Sequence, residues 1–122
     1  MINQDSNIPI YTQIANIIKD QILNHDLKSH DQVYSTNHLA KLFNINPATA
    51  RKGLSILFDS GIIYKKRGVG MFVCENARDI IIEEKNSKFY DNYIKKIIIE
   101  ANKIGITKSE LITLISKSNW EV

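Results

Sequence analysis

Apolar residues recur at Ile10, Ile14, Ile17, Ile18, Ile22 and Leu23, the spacing of one face of an α-helix. Pro9 stands at the start of this run, and proline suits a first helical turn because its missing N–H is not needed there. Residues 24–32 are polar and turn-like. Ser35 is a good N-cap for a short second helix carrying Leu39, Ala40, Leu42 and Phe43. Asn44 follows where that helix must turn, and asparagine tolerates the left-handed conformation of a helix stop better than other side chains. Asn46-Pro47 then supplies a cap followed by proline at the first helical position. It predicts a third helix over residues 47–59, with Ala50, Leu54 and Leu57 on its inner face and Gly61 at its end.

Beyond Gly61 the pattern changes from helical to extended. Two short β-rich runs, residues 62–66 and 71–74, flank Arg67-Gly68-Val69-Gly70 and predict a hairpin. The helical signal returns after Asn76 and lasts to Ile104, where Gly105 stops it. Thr107-Lys108-Ser109-Glu110 is a capping box opening a last helix with Leu111, Ile112, Leu114 and Ile115. Met1 to Ile8 reads as a loose lead-in. The fold class expected is mainly α with a small β-hairpin. A winged helix-turn-helix over residues 1–75 is followed by a two-helix tail over 76–122. The second helix of such a pair fits the major groove of DNA.

Charge sharpens this picture. The net charge is only +3, from 16 basic and 13 acidic residues. Yet between Lys41 and Gly68 there are six basic residues against one acid, while the residues after Cys74 are balanced. The basicity is one local patch, and two of the three arginines, Arg51 and Arg67, lie in it. Cations on both the third helix and the wing suit a polyanion such as double-stranded DNA. Ala48, Thr49 and Lys52 are expected to face outward from the third helix, with Arg51 beside them and Ala50 in the core.

Other chemistry finds little support. There is no nucleophile elbow, phosphate-binding loop or zincin pair, so no enzyme is expected, and no cofactor. His25, His30, His38 and Cys74 match no metal-ligand spacing and read as surface residues rather than ligands. Tyr11 and Tyr34 read as partial core or hinge residues. No apolar run is long enough to span a membrane, and a lone cysteine fits a reducing cytoplasm.

The ordered set of motifs resembles the GntR family of regulators. It comprises Pro9-Ile10-Tyr11 with Gln13-Ile14, Leu39-Ala40, Asn46-Pro47 with Thr49, Gly61-Ile62-Ile63, and Arg67-Gly68 with Gly70 and Phe72-Val73. The resemblance runs from about Ile8 to Cys74. It implies DNA contacts from Ser35, Thr49, Arg51, Arg67 and Gly68, and more loosely from Asn46, Ala48, Lys52 and Lys66. The family's usual Leu-Pro-Ser-x-Arg run is here Val33-Tyr34-Ser35-Thr36-Asn37. Asn37 thus offers at best a neutral hydrogen bond where relatives place a charged one, about 1 kcal/mol weaker.

Only 48 residues follow Cys74, which resembles the YtrA-like subfamily with its short helical dimerisation tail. The tail's own pattern agrees. Phe89, Tyr93, Ile97 and Ala101 recur every four residues, and Tyr90, Ile94 and Ile98 form an adjacent row. A stripe this wide exceeds what one short helix covers, so a homodimer is expected, binding a near-palindromic operator. The resemblance implies a cytoplasmic repressor, of the kind that commonly controls ABC-transporter operons. A small-molecule effector would bind between tail and winged helix or at the dimer interface. The alternative is a protein-interaction module that uses the winged helix as scaffold and the apolar tail to hold another protein. Such a scaffold has no need of cations on both helix and wing.

Overall fold

A computed structural model describes residues 2–121. It divides into two compact units, one running to Glu84 and the other beginning at Lys85.

In the first unit, α1 (Ile10–Leu23), α2 (Thr36–Phe43) and α3 (Pro47–Asp59) surround a core built from the inner faces anticipated above. Ile14, Ile18 and Ile22 of α1 meet Leu39 and Ala40 of α2 and Ala50, Leu54 and Leu57 of α3. The helix boundaries follow from their caps. Ser35 accepts a hydrogen bond from the His38 N–H, and Asn46 accepts one from the Ala48 N–H just ahead of Pro47 in the first turn. Asn44 stops α2 in the left-handed region, at φ 53°. The connection between α2 and α3 is therefore the tight turn of a helix-turn-helix. Ser35→Ala is expected to lower stability by about 1 kcal/mol. The measurement is a denaturant titration with unchanged slope and a lower midpoint.

The close approach of α1 and α3 depends on Gly53. A Cβ at this buried position would lie 2.9 Å from the Tyr11 carbonyl oxygen and 3.0 Å from an Ile14 methyl.

The hairpin pairs β1 (Ile63–Lys66) with β2 (Gly70–Val73) in antiparallel register, Ile63 opposite Val73 and Lys66 opposite Gly70. Gly68, at φ 78°, makes the turn possible. The segment before α2 adds to this sheet. The Val33 N–H donates to the Met71 carbonyl and the His30 N–H to the Val73 carbonyl, while the Val73 N–H donates back to Asp31. Residues 30–33 thus line the free edge of β2.

Two features of this unit differ from the sequence reading. Residues 2–8 are tied down rather than loose, while Met1 lies outside the described residues. The buried Gln13 amide accepts from the Asn3 N–H at 2.7 Å and donates to the Asn3 and Ile8 carbonyls, both at 2.9 Å. A buried amide needs partners, and the lead-in supplies them. The unit also continues past the hairpin. The first turns of α4 (Ala77–Phe89) bury Ala77 and Ile81 in the core, and Lys19 of α1 pairs with Glu84 at 3.0 Å.

In the second unit the helical signal beyond Asn76 resolves into more than one winding. Tyr90–Ile94 forms a π turn, where the Lys95 N–H reaches back to the Tyr90 carbonyl, before α5 (Lys95–Lys103) resumes. Gly105 ends α5 at φ 76°, and Thr107 opens α6 (Lys108–Lys117). Both bonds of the capping box form: Thr107 N–H to Glu110 at 3.1 Å and Glu110 N–H to the Thr107 hydroxyl at 3.2 Å. Hydrogen bonding from Thr107, backbone first and then side chain, holds the Glu110 carboxyl below its ordinary range. A carboxylate depressed in the folded state contributes fully at neutral pH and loses that contribution as acid protonates it.

Between α5 and α6 lies an apolar groove of about 410 Å³, lined by Ile94, Ile97, Ile98, Ala101, Ile106, Leu111, Ile112 and Ile115 among others. Ala101 is its buried floor, whereas Ile97, Ile98, Ile112 and Ile115 remain exposed. Of the seven tail residues anticipated at an interface, Ile94, Ile97, Ile98 and Ala101 line this groove. Phe89, Tyr90 and Tyr93 lie outside it and are also exposed, with the Phe89 and Tyr93 rings 5.5 Å apart.

Candidate nucleic-acid interface

The outer face of the first unit carries a cleft of about 560 Å³ between α3 and the hairpin. One wall is α3, contributing Arg51, Leu54, Ser55 and Phe58. The other is the hairpin, contributing Lys65, Val69, Gly70 and Met71. The approach to α2 closes the end with Gln32, Val33, Tyr34, Ser35 and Thr36. No carboxylate occurs among these described lining residues, while Arg51 and Lys65 bring two cations.

Strand parity decides which hairpin lysine faces the cleft. Side chains alternate across a sheet, so Lys65 shares a face with its partner Met71, and both line the cleft. Lys66 points the other way, and its ammonium sits 4.8 Å above the Phe72 ring. Phe72 in turn stacks on Tyr64, whose hydroxyl lies 2.9 Å from His30 Nδ1. Arg67 and Gly68 form the exposed tip.

The anticipated site residues therefore fall into groups. Ser35 and Arg51 line the cleft, and Arg67 and Gly68 crown its hairpin wall. Asn46 and Ala48 are exposed at the start of α3, and Thr49 is half-buried there. Asn37 is exposed on the first turn of α2. Lys52 is exposed, but its ammonium lies 4.0 Å over the Tyr11 ring, a cation–π contact that a phosphate would have to outcompete. Gln32, Tyr34, Ser55, Phe58 and Lys65 were not anticipated at the site. Period-2 alternation within Lys65-Lys66-Arg67 was the available signal for Lys65. Tyr34 is half-exposed and stacks on His38 of α2, ring centroids 4.5 Å apart.

No set of three or more histidine, cysteine, aspartate or glutamate side chains could hold a metal ion among the described residues. Burial pushes the Cys74 thiol above its usual pKa, so it stays protonated at neutral pH. No helix among the described residues is long and apolar enough to cross a membrane.

This helix-turn-helix with a basic wing matches the sequence profile of "Bacterial regulatory proteins, gntR family" over residues 10–73. The chain belongs to the GntR family. Over nearly its whole extent it is similar to YtrA-like members. It is 31% identical to the HTH-type transcriptional repressor YtrA of Bacillus subtilis, over 99% of this chain and 92% of that one. Among solved structures it resembles a GntR family transcriptional regulator from Listeria monocytogenes, at 30% identity and TM-score 0.71. That match covers 94% of this chain and 99% of the other. It also resembles the GntR-family transcription factor YtrA from Sulfolobus acidocaldarius, at 28% identity and TM-score 0.57, over 96% and 93% of the two chains. GntR members are DNA-binding transcriptional regulators, and this chain is one by descent and by fold.

Proposed function

We propose that this chain is a homodimeric repressor that binds a near-palindromic operator. Arg51 on α3 reads the major groove, and Arg67 at the wing tip contacts the backbone or minor groove alongside. The observation that carries this reading is the cleft between α3 and wing. It is bounded by Arg51 and Lys65, free of carboxylates among its described residues, and crowned by Arg67. Ser35, Asn37, Asn46, Thr49 and Lys52 supply short polar or cationic contacts around it, Ala48 adds a small apolar surface, and Lys66 and Gly68 complete the wing. An α3 helix fits the major groove, and a wing beside it meets the adjoining backbone.

The apolar groove of the tail supports the dimer. Exposed isoleucines and aromatics in a unit this small need cover, and a second copy supplies the same surface. Twofold symmetry then sets two α3 helices about one DNA turn, or a multiple of it, apart. YtrA of Bacillus subtilis bears the description transcriptional repressor, which supports repression here. The likeness to YtrA-like regulators makes an ABC-transporter operon the candidate target.

Selection of bound sequences from random DNA at a stated salt concentration tests this reading, together with light scattering of the free protein. The expected result is two inverted half-sites and a dimer mass that survives high salt. Enrichment of no sequence, or a monomer, would overturn it.

A further inference from the structure

The wing tip is held from outside the hairpin. β1 and β2 have only four residues each, and two such strands alone are marginally stable. Residues 30–33 brace the base of the hairpin through backbone bonds, the last of them from the Val33 N–H to the Met71 carbonyl at 2.9 Å. Beyond Met71 the brace continues through a side chain. The Gln32 Nε2 donates to the Val69 carbonyl at 3.2 Å, one residue past Gly68 in the turn. Gly70 makes room for it, because a Cβ there would lie 2.5 Å from that same Nε2. The glycine also adopts φ 144°, which side chains rarely tolerate.

We infer that Gln32 is a positioning residue for DNA recognition: its amide, seated on Gly70 and bonded to Val69, fixes where the Arg67-Gly68 tip meets the duplex. This rests on the reading of the wing as a DNA contact. Gln32 is itself exposed, so its bond competes with water and adds little to folding. Its effect falls on the ordering of the wing, a cost that binding would otherwise bear.

The test uses the full chain and DNA carrying the selected operator. Gln32→Met keeps length but loses the donor, and Gln32→Asn keeps the donor but falls short of Val69. Both are expected to bind about three- to tenfold more weakly, the range of one hydrogen bond. Unfolding should be unchanged, and exchange of the Val69 and Gly70 amides in the free protein should be faster. In an Arg67→Ala background, Gln32→Met should cost almost nothing further, because a tip without its cation gains nothing from being placed. Wild-type affinity or unchanged amide exchange in Gln32→Met overturns the assignment, as do losses that simply add to that of Arg67→Ala. If the unmodified protein selects no DNA sequence, the reading of the wing itself fails, and this role with it.

Discussion

The double variant Arg51→Ala, Arg67→Ala is expected to lose specific DNA binding while folding normally. Both side chains are exposed, so neither supports the core. A well-placed contact to a base edge contributes about 1–3 kcal/mol, and in the proposed dimer each contact is lost twice. Four lost contacts amount to about 4 kcal/mol or more, roughly a thousandfold in affinity. The single variants separate two roles. If Arg51 reads a base, Arg51→Ala relaxes preference at one operator position. If it meets only phosphate, affinity falls evenly on all sequences and the salt dependence becomes shallower. Titrations of operator and scrambled duplexes at several salt concentrations distinguish these outcomes. Operator binding by the double variant at wild-type affinity would remove α3 and the wing from the interface.

A second large effect is expected at Gly53, on stability. In an exposed helix, replacing glycine gains about 1 kcal/mol. Here the added Cβ would sit 2.9 Å from the Tyr11 carbonyl oxygen and 3.0–3.1 Å from Ile14. The carbonyl is α1 backbone, and Ile14 is fully buried, so neither can swing aside. Gly53→Ala is therefore expected to destabilise, reversing the usual sign. Gly53→Leu forces the helices apart and costs about 3 kcal/mol or more. Thermal and denaturant unfolding measure both. A raised midpoint for Gly53→Ala would show that α1 and α3 have slack at this point.

Local chemistry made much of the fold legible. Ser35, Asn46 and Thr107 carry their helix starts in their own side chains, because each satisfies an N–H that the helix leaves without a partner. Asn44 and Gly105 announce helix stops through conformations that few residues adopt. Gly53 was unreadable for the opposite reason. A glycine inside a helical pattern gives no sign of what approaches it from another helix. The same holds for Ala77 and Ile81, whose place in the first unit's core depends on long-range packing. The π turn at Tyr90–Ile94 leaves no trace in four-residue spacing, since one widened turn shifts the phase without breaking the pattern.

At the candidate interface the cationic composition was readable, and its facing was only partly so. Arg51 and Ser35 line the cleft, but Lys66 belongs to the opposite hairpin face and Lys65 takes the inward place. One residue of strand register separates the two, and a run of three cations cannot show which of them looks inward. Gln32 was hidden in a polar stretch that reads as a turn, because its bond to Val69 joins residues 37 positions apart.

Cys74 has a practical consequence for labelling chemistry. It is the chain's one thiol, and its partial burial is expected to slow its reaction with maleimides. A cysteine introduced at Val69, which is 62% exposed on the wing, would react well ahead of it. A fluorophore could then report on the hairpin tip while the native sulfur stays in place.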